Sequence, residues 1–406
     1  MTGKHIVIYE PSQGGHQMIL IRYLLNSLSL HVSNLRVTLL MSAAASEHPN
    51  TRVVVEDFAH IVTLRVAPNI IEGNWFFRKI DPFYESQWRN AEMFARGFAE
   101  IGPENVDLVL LPYLETIGLL HIGLRPNLFR GRPWATVSIT LRFHQRRLGI
   151  ASPFQLTDIF QEIFLRRILR DRTLVCFGSV NPYTTDAVNH PKLVHCWDPG
   201  PPYTPTPMAE ARKAYGIRSE TCVVVVFGQI DRRKCVNVLL DGAARAIPEV
   251  DLTVLVAGPQ TTAHVGAALD SEAARKLREH GRLVEANRYI IDGKDVDPVS
   301  VADIVWVFYE RKFVIGSSVM IRAGRFRRPV VVRDWGVIGR QTHEFDCGLT
   351  LSSEDPEVVA EALIRLARDP ALRARMGENG ERAFAPNTPE NFARPIVDAI
   401  NRSLGS

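Results

Sequence analysis

The sequence is poor in cysteine, and the cysteines it has are widely spaced. Its 406 residues include Cys176, Cys196, Cys222, Cys235 and Cys347, an odd number with no CxxC pair. This spacing argues against a disulfide framework and against a zinc site, because both usually need cysteines in recognisable pairs. We therefore expect reduced thiols, which favours a cytoplasmic protein.

Long apolar runs and a strong net charge are also missing. No stretch reaches the ~20 uninterrupted apolar residues of a membrane span, and the N-terminal apolar run is too short for a signal peptide. The net charge is only +4, and no DNA- or RNA-binding motif occurs. We expect no membrane insertion and no nucleic-acid partner, while peripheral contact with the inner face of a membrane stays open.

The chain is instead built from short apolar runs that alternate with helical segments, which predicts mostly parallel α/β sheets. A chain of 406 residues exceeds one hydrophobic core, so two domains are expected. The predicted strands are His5–Tyr9, Leu35–Met41, Ile61–Val66, Val106–Pro112, Ala135–Leu141, Leu174–Phe177, Val223–Phe227, Leu252–Ala257, Tyr289–Ile291, Ile304–Phe308, Val330–Val332 and Leu349–Leu351.

A proline- and glycine-rich stretch, LVHCWDPGPPYTPTP, separates the two halves. It cannot continue a helix or a central strand, so it marks a domain crossing. We expect an N-terminal domain over residues 1–199 and a C-terminal domain over residues 200–384. A final helix within residues 385–406 is expected to return to the first domain. Two such α/β domains would face a ligand-binding cleft.

The segment CVVVVFGQIDRRKC, residues 222–235, combines a strand, a glycine turn and the start of a helix. Its β-branched run is typical of a strand buried on both faces, and Gly228 ends it. The turn carries Arg232, Arg233 and Lys234. An anion there would meet backbone N–H groups, a helix dipole and three cations. The segment indicates a phosphate site, although an ordinary solvated turn has the same composition.

The first half offers weaker signals. Gly14 and Gly15 follow the first strand and allow a ligand to approach the main chain closely, or form a plain turn. Arg142 and His144 end the fifth predicted strand, where ligands bind in open α/β sheets. An aperiodic region between Ala67 and Asn90 would line a mobile acceptor-binding loop, touch a membrane or pack on the domain. Its aromatics are Trp75, Phe76, Phe77, Phe83, Tyr84 and Trp88.

Taken in order, several segments resemble the retaining nucleotide-sugar glycosyltransferases of the GT-B fold, close to glycosyltransferase family 4 (group 1). EPSQGGH is similar to that family's N-terminal glycine loop, and FGQIDRRKCVNVLLDGAARA to its FGxxxxxKGxxxLLxAF segment. LTVLVAGP, SSVMIRAGRFRRPVVVRDWGVIG and the C-terminal SSEDPEVVAEALIRLARDPALRARMGENGERAF follow at the family's spacing. The resemblance covers nearly the whole chain. It implies two Rossmann-like domains, of which residues 1–199 bind the acceptor and residues 200–384 bind the nucleotide-sugar donor. It also implies transfer of a sugar with retention of configuration.

The resemblance also implies roles for the residues of the cationic turn. Lys234 stands at the family's diphosphate-binding lysine, and Arg232 or Arg233 would take the part of its companion arginine. The family commonly has that arginine directly after the glycine, where this chain has Gln229 beside Gly228. Cys235 occupies a position at which glycine is usual. Cations of this kind stabilise the charge that grows on a leaving diphosphate.

The donor half departs further from the family pattern. Two glutamates seven residues apart are common there, the second binding the donor ribose, and their positions fall on Ile315 and Arg322. The chain fits better a variant with Tyr309 followed by Ser317 and Ser318, whose hydroxyl and N–H groups at a helix start bind phosphate. Backbone groups near Ala257–Gln260, which include Gly258 and Pro259, and near Arg288–Ile291 would contact the nucleotide base. Arg322 would contact phosphate, mark a silent domain or lie on a solvent-facing helix surface.

On the acceptor side, His144 resembles the family residue near the sugar hydroxyls. Glu10, Gly14, Gly15, His16 and Arg142 are candidates for acceptor contacts. The resemblance implies no cofactor beyond the nucleotide-sugar co-substrate and no metal, because cations and a helix dipole can neutralise the diphosphate.

The sequence therefore predicts a hexosyltransferase acting on a small-molecule, lipid-linked or glycan acceptor. A catalytically silent GT-B binding or scaffold protein is the main alternative, since both family glutamates are missing. A nucleotide-sugar epimerase or a phosphorylase would share the fold, but no pyridoxal lysine site is found for the latter. A dinucleotide dehydrogenase is disfavoured because no GxGxxG occurs.

Overall fold

The protein consists of two compact units of similar size. A computed structural model describes residues 3–12, 15–260, 262–291 and 293–405. Unit 1 comprises Met1–Leu148, Phe154–Asp198 and Pro389–Ser406, and unit 2 comprises Gly149–Pro153 and Pro199–Thr388. The chain thus enters unit 2 briefly at residues 149–153 and leaves it again before the C terminus.

Each unit contains one sheet with helices on both faces. The strands are β1 (Lys4–Tyr9), β2 (Leu35–Met41), β3 (Val62–Val66), β4 (Leu108–Leu111), β5 (Trp134–Ser138), β6 (Leu174–Ser179) and β7 (Leu193–His195) in unit 1, and β8 (Cys222–Phe227), β9 (Leu252–Ala257), β10 (Leu283–Ala286), β11 (Ile304–Val307), β12 (Val330–Arg333) and β13 (Gly348–Leu351) in unit 2.

The helices of unit 1 are α1 (Gly15–His31), α2 (Ala43–Ser46), α3 (Pro49–Asp57), α4 (Trp75–Ile80), α5 (Pro82–Ile101), α6 (Leu119–Leu124), α7 (Leu156–Leu169), α8 (Pro182–Ala187) and, at the C terminus, α17 (Pro389–Ser403). Those of unit 2 are α9 (Met208–Ala214), α10 (Val236–Ala246), α11 (Ala263–Leu269), α12 (Glu272–Glu279), α13 (Ser318–Arg325), α14 (Gly336–Phe345), α15 (Pro356–Arg368) and α16 (Pro370–Phe384). Short 3-10 helices occur at Pro103–Asn105, Leu114–Thr116, Gln145–Leu148, Arg232–Lys234 and Pro298–Val301. Within the described residues, no helix is both long and apolar enough to cross a bilayer.

Both sheets have the strand order of a doubly wound fold. The seven-stranded sheet of unit 1 runs β3-β2-β1-β4-β5-β6-β7, and the six-stranded sheet of unit 2 runs β10-β9-β8-β11-β12-β13. Every assigned strand pair is parallel, as the sequence predicts. The order reverses beside β1 and beside β8, and ligands bind at the carboxyl ends of strands at such a point.

Strand β8 shows why the apolar runs become central strands. All six of its residues are buried. Val224 and Val226 pack into the core on one face of the sheet, and Val223, Val225 and Phe227 pack into the core on the other. Successive side chains of a strand point to opposite faces, so only an uninterrupted apolar run satisfies both cores.

One predicted strand is wrong. Tyr289–Ile291 does not form a strand, and the edge position of the second sheet is held by β10, a few residues earlier. Tyr289 and Ile291 are 57% and 44% exposed. Strand β10 carries Glu285 and only partly buried neighbours, so its apolar signal is weak. The short edge strand β7 is also absent from the sequence prediction.

The aromatic region after Ala67 is not a mobile loop but contains two helices. Asn74 caps α4 by accepting hydrogen bonds from the N–H groups of Phe76 and Phe77, at 3.1 and 3.4 Å. Asp81 caps α5 by accepting one from Phe83 at 2.8 Å, and Pro82 occupies its first position. Both caps are standard start signals, so this segment had a readable helix pattern despite its lack of apolar period.

The C-terminal helix α17 is part of the unit 1 core. It packs against α1 and β6. Phe392, Ile396 and Ile400 are fully buried within the same apolar cluster as β1 and β2 residues. Unit 1 is therefore closed by a segment that follows the whole of unit 2 in the sequence.

We expect Phe392→Ala to destabilise unit 1 by roughly 3–5 kcal/mol, because it removes a fully buried ring and leaves a cavity. Hydrogen exchange followed by mass spectrometry should show faster exchange in β1, β2 and α1 and unchanged exchange in β8 and β9. The exposed Asp398→Ala on the same helix is the control and should change stability by less than about 0.5 kcal/mol. Equal loss of protection in both units would contradict this division.

Candidate functional site

Two glycine turns meet at the carboxyl edge of the second sheet. Gly228 follows β8 and Gly258 follows β9, with φ angles of 101° and 130°. The Gly228 N–H donates to Ala257 O at 3.0 Å. A Cβ atom on Gly258 would lie 1.9 Å from Gly228 O, so this close approach requires glycine. Gln229 is exposed beside it, and Pro259 O accepts a hydrogen bond from the Ile230 N–H at 2.9 Å.

The cationic turn is a short 3-10 helix that leads into α10. Asp231 caps it by accepting a hydrogen bond from the Arg233 N–H at 3.0 Å. Cys235 then adopts a left-handed conformation with φ of 46° just before α10 begins. A non-glycine residue there costs about 1–2 kcal/mol, which gives a physical reason for the glycine usual at this position. The expected turn forms with cysteine in that place.

Lys234 is buried, with only 3% of its surface exposed. Its ammonium donates to Phe227 O and lies 3.4 Å from Tyr309 Oη and 5.2 Å from the centre of the Tyr309 ring. A Cβ atom on Gly228 would come within 3.3 Å of Nζ, so the lysine lies against the glycine turn. All these partners are neutral. Within the described residues, Lys234 forms no ion pair.

The two arginines of the turn have different surroundings. Arg232 is exposed to solvent. Arg233 is half-buried, and its guanidinium lies 5.7 Å from the centre of the Tyr309 ring and 5.2 Å from that of Phe313. Asp231 lies 3.6 Å from it. These stacking contacts bring Arg233, rather than Arg232, toward Lys234 and Tyr309.

Tyr309 and the start of α13 extend the same site. A hydrogen bond of 3.1 Å joins Tyr309 Oη to Ser317 Oγ, the residue just before the helix. Ser318, the first helical residue, is exposed. The first N–H groups of a helix have no partner within it, so they and the helix dipole favour an anion. The structure thus links Lys234 to the beginning of α13 through Tyr309.

Arg322, in the place of the family's second glutamate, is held by an acidic partner of the same unit. Its Nη1 lies 2.7 Å from Asp297 Oδ2, with 12% and 4% of the two side chains exposed. Its guanidinium also lies 5.0 Å from the centre of the Phe227 ring. Tyr203 Oη donates to the same Asp297 oxygen at 3.1 Å. Of the three alternatives given for Arg322, the position on a solvent-facing helix surface is therefore wrong.

Asp295 and Asp297 have the D-x-D spacing of many metal-dependent transferases, which the expectation of metal independence did not take into account. Their carboxylates have other partners. Asp295 accepts a hydrogen bond from the Ile291 N–H at 2.7 Å and pairs with Arg288 at 2.9 Å. Asp297 pairs with Arg322, as described above.

The sequence analysis did not identify two further residues of this site, Arg333 and Trp306. Arg333, the last residue of β12, donates to Tyr309 O at 2.6 Å and lies 4.1 Å from the centre of the Phe308 ring. Glu354 pairs with its guanidinium. Trp306 Nε1 donates to Lys234 O at 3.1 Å. Arg333 was detectable, since an arginine ending a buried strand lies at the ligand-binding edge.

In unit 1, Glu10 and Glu115 follow β1 and β4, on either side of the point where the strand order reverses. Glu10 is fully buried and accepts hydrogen bonds from the Ser12 N–H at 3.0 Å and Thr116 Oγ1 at 3.3 Å. Burial, together with the charge of Glu115, raises the pKa of Glu10 to about 7 despite these bonds.

Glu115 was not among the predicted residues, although it has more partners than Glu10. Its Oε1 accepts from Ser138 Oγ, from the Ile139 and Thr140 N–H groups and from Thr140 Oγ1, all within 2.7–2.9 Å. Its Oε2 is buried, and no described residue hydrogen-bonds to it. No motif marks this glutamate, because its donors come from the end of a different strand.

His144 is fully buried in unit 1. Asn181 Nδ2 donates to its Nε2 at 3.2 Å, which places the proton on Nδ1. Nδ1 is buried and has no partner among the described residues. Burial lowers the pKa of His144 to about 4, so the ring is neutral at pH 7.

The other predicted acceptor residues are less well placed or lie outside the description. Arg142 pairs with Asp158 at 2.8 Å, and both side chains are 11% exposed. Gly14 lies outside the described residues. Gly15 begins α1, and His16 is the next residue of that helix, but their side-chain surroundings are not described.

Comparison with known proteins supports a GT-B architecture. No protein-family model matches the chain. D-inositol 3-phosphate glycosyltransferase of Corynebacterium urealyticum is 28% identical over 210 residues, which are 50% of this chain and 48% of that relative. The match thus spans about half the length of the curated relative.

Solved structures match the whole chain at low identity. HepE of Anabaena, in complex with UDP and glucose, has a TM-score of 0.66 and 14% identity, covering 98% of this chain and 100% of that one. Sucrose-phosphate synthase of Thermosynechococcus elongatus has a TM-score of 0.67 and 16% identity, covering 99% of each. The chain has the GT-B fold with two Rossmann-like domains, and the predicted resemblance to GT-B glycosyltransferases is confirmed.

Removing Arg322 should destabilise unit 2, because the buried Asp297 would lose the guanidinium that lies 2.7 Å from it. We expect Arg322→Met to cost roughly 3 kcal/mol, the lower end for a broken buried pair, since Tyr203 still donates to Asp297. The double variant Arg322→Met/Asp297→Asn should recover most of that loss. Denaturant unfolding of the four proteins completes the cycle, and additive losses would show that the pair is not coupled.

Because the pKa of Glu10 is raised, the stability of unit 1 should depend on pH. Between its ordinary pKa of 4.5 and about 7, the unfolded chain releases the proton while the folded chain keeps it, so stability falls as pH rises through this window. The unfolding free energy of Glu10→Gln, measured relative to that of the wild type, should therefore rise by on the order of 3 kcal/mol from pH 4 to pH 8. Unfolding of unit 1, followed by hydrogen exchange, measures the difference. The exposed Glu100→Gln should show no such trend.

Proposed function

We propose that this protein is a glycosyltransferase that takes a sugar from a nucleoside diphosphate sugar. The observation that carries the proposal is the buried ammonium of Lys234, which has neutral partners and no carboxylate among the described residues. A buried charge of this kind is costly unless an anion accompanies it. The diphosphate of the donor would supply that anion, close to the glycine turns and the start of α13.

The reaction places negative charge where unit 2 has cations. As the bond between the anomeric carbon and the diphosphate oxygen breaks, charge grows on the leaving diphosphate. Lys234 and Arg233 would stabilise it, assisted by the N–H groups at Ser318 and the hydroxyl groups of Tyr309 and Ser317. Arg232 is solvent-exposed and would act only at longer range. Gly228, Gln229, Gly258 and Pro259 would contact the nucleotide through their backbone.

We further propose that configuration is retained. The acceptor oxygen would bond to the anomeric carbon on the face that the diphosphate leaves, and its proton would pass to the departing phosphate oxygen. No dedicated base is then needed. His144 is neutral and its Nδ1–H lacks a partner among the described residues, so it can donate to a sugar hydroxyl. Glu10 and His16 would contact the acceptor.

We propose that no bound metal or cofactor is required, since the cationic side chains and helix dipole neutralise the diphosphate. Because Arg322 and Asp297 satisfy each other, the donor ribose would be bound without the family's usual glutamate. We place the protein in the cytoplasm, where its buried free thiols remain reduced.

A catalytically silent binding protein remains the second candidate, because Ile315 and Arg322 replace both family glutamates. The fold alone does not decide between them, since one fold hosts many functions. Donor binding with detectable sugar transfer or hydrolysis would favour the enzyme. Donor binding without turnover, using any acceptor, would favour the silent module.

Nucleoside diphosphates should raise the thermal stability of the protein. At a concentration of 100 times the dissociation constant, a ligand stabilises the fold by about 2.7 kcal/mol. We would screen UDP, GDP, ADP, dTDP and their sugar conjugates, with EDTA and with magnesium. One base should stand out, and the shift should persist in EDTA. Dependence on magnesium would contradict metal independence.

The role of Lys234 is tested with Lys234→Met, which removes the charge and keeps the length of the side chain. We expect about a tenfold to hundredfold rise in the dissociation constant of the nucleotide, as for loss of a charged hydrogen bond. Calorimetric titration measures it. Lys213→Met, at an exposed lysine of α9, is the matched control and should bind like wild type. Equal affinity of all three proteins would remove the central residue of the proposal.

A further inference from the structure

Unit 1 contains a cavity of about 420 Å³ at the carboxyl ends of β4 and β5. It lies among residues of α4, α5, α6 and α7, so every part of its wall belongs to this unit. The volume falls within the range of pockets that bind small ligands, roughly 300–1,000 Å³. The donor-binding residues proposed above all lie in unit 2, so none of them lines this cavity.

The wall of the cavity is mainly apolar and aromatic. Phe77 and Phe164 contribute to it, together with rim residues that are each more than half exposed. These rim residues are Phe76, Phe83, Leu124 and Phe160. Contiguous exposed apolar side chains of this kind commonly mark a surface that binds a ligand, a membrane or another protein.

The apolar surface continues out of the cavity along α7. Leu156 and Ile163 lie four residues before and three residues after Phe160, on the same helix face, and are 70% and 54% exposed. A compact ligand that fitted inside the cavity would leave this stripe uncovered. A long hydrocarbon chain that emerges past Phe160 would cover both.

The inner end of the cavity is polar. Glu115, Ser138 and Thr140 line it at the carboxyl edge of the sheet. Four hydrogen bonds to Oε1 hold the Glu115 carboxylate in place, while Oε2 is buried with no partner among the described residues. A hydroxyl group of a bound ligand would supply the missing donor.

We propose that the cavity binds the hydrocarbon chain of a lipid-linked acceptor, whose hydroxyl-bearing head donates a hydrogen bond to Glu115. The head would lie at the carboxyl edge of the sheet and the chain would pass Phe160 toward Leu156 and Ile163. That this lipid is the acceptor rests on the proposed transferase function, whereas the binding of its hydrocarbon chain in the cavity does not. Among the acceptor classes left open by the sequence, this geometry selects the lipid-linked one.

The probes are glucose and its octyl, decyl and dodecyl β-glycosides, each below its micelle concentration, titrated calorimetrically into the full chain. Affinity should rise by about fourfold for each methylene group that the protein buries. Equal affinity for glucose and the dodecyl glucoside, or no binding of either, would overturn the proposal.

Binding inside the cavity is separated from adsorption to exposed aromatics by two tryptophan variants of unit 1. Thr157 lines the cavity, whereas Val53, on α3, does not and is 38% exposed. Thr157→Trp should weaken dodecyl glucoside binding by at least about tenfold, the equivalent of two unburied methylene groups. Val53→Trp should leave it unchanged. Equal effects of the two variants would indicate surface adsorption and overturn the proposal.

Glu115→Gln tests the polar end without filling the cavity. It should lower the affinity for every glucoside by about tenfold or more, as expected for a hydrogen bond to a charged group, while the gain per methylene stays the same. An unchanged affinity would exclude contact between Glu115 and the head. If Thr157→Trp fails to fold, this variant and the chain-length series still decide the proposal.

A UDP titration of the same samples keeps the two proposals distinguishable. If glucosides bind according to chain length but no nucleotide binds, the transferase proposal fails and the cavity remains a lipid site. If UDP binds while glucoside affinity does not depend on chain length, the lipid inference fails and the transferase proposal stands.

Discussion

Parallel strand pairing is the constraint on which both candidate sites depend. In a parallel sheet all strands end at the same edge, and each connection must return across a face before the next strand begins. Residues far apart in sequence therefore meet at one edge. In unit 2, Gly228, Gly258 and Tyr309 follow three neighbouring strands. In unit 1, Glu10 and Glu115 follow the neighbouring strands β1 and β4. The helices that cover both faces leave this edge as the place where polar groups can face a ligand.

The strand-turn-helix around Lys234 was predictable because each of its parts has a local cause. A run of valines fits only a strand buried on both sides, and its core contacts alternate as that pattern requires. Glycine at position 228 supplies a positive φ that few other residues adopt. The same logic gave the alternation of strands and helices, hence the doubly wound fold.

Other features depend on contacts that no local pattern shows. Strand β10 is an edge strand with a solvent-facing glutamate, so it lacks the apolar run of a central strand. Tyr289–Ile291 has the composition of a strand, but Tyr289 and Ile291 are exposed. Asp297 and Arg322 are twenty-five positions apart, and only the fold makes them partners. Glu115 likewise receives its hydrogen bonds from residues 23–25 positions further along the chain.

The cations of unit 2 divide by the partners that the fold gives them. Arg322 and Arg333 each have a carboxylate, Asp297 and Glu354, so their charges are already balanced. Lys234 is as deeply buried as Arg333, yet among the described residues its ammonium hydrogen-bonds only to a carbonyl and a phenol. Hydrogen bonds to neutral groups do not offset the free-energy cost of burying an uncompensated ammonium. The diphosphate of the proposed donor would balance the charge of Lys234. Arg322 would not compete for that diphosphate, because its own charge is balanced by Asp297.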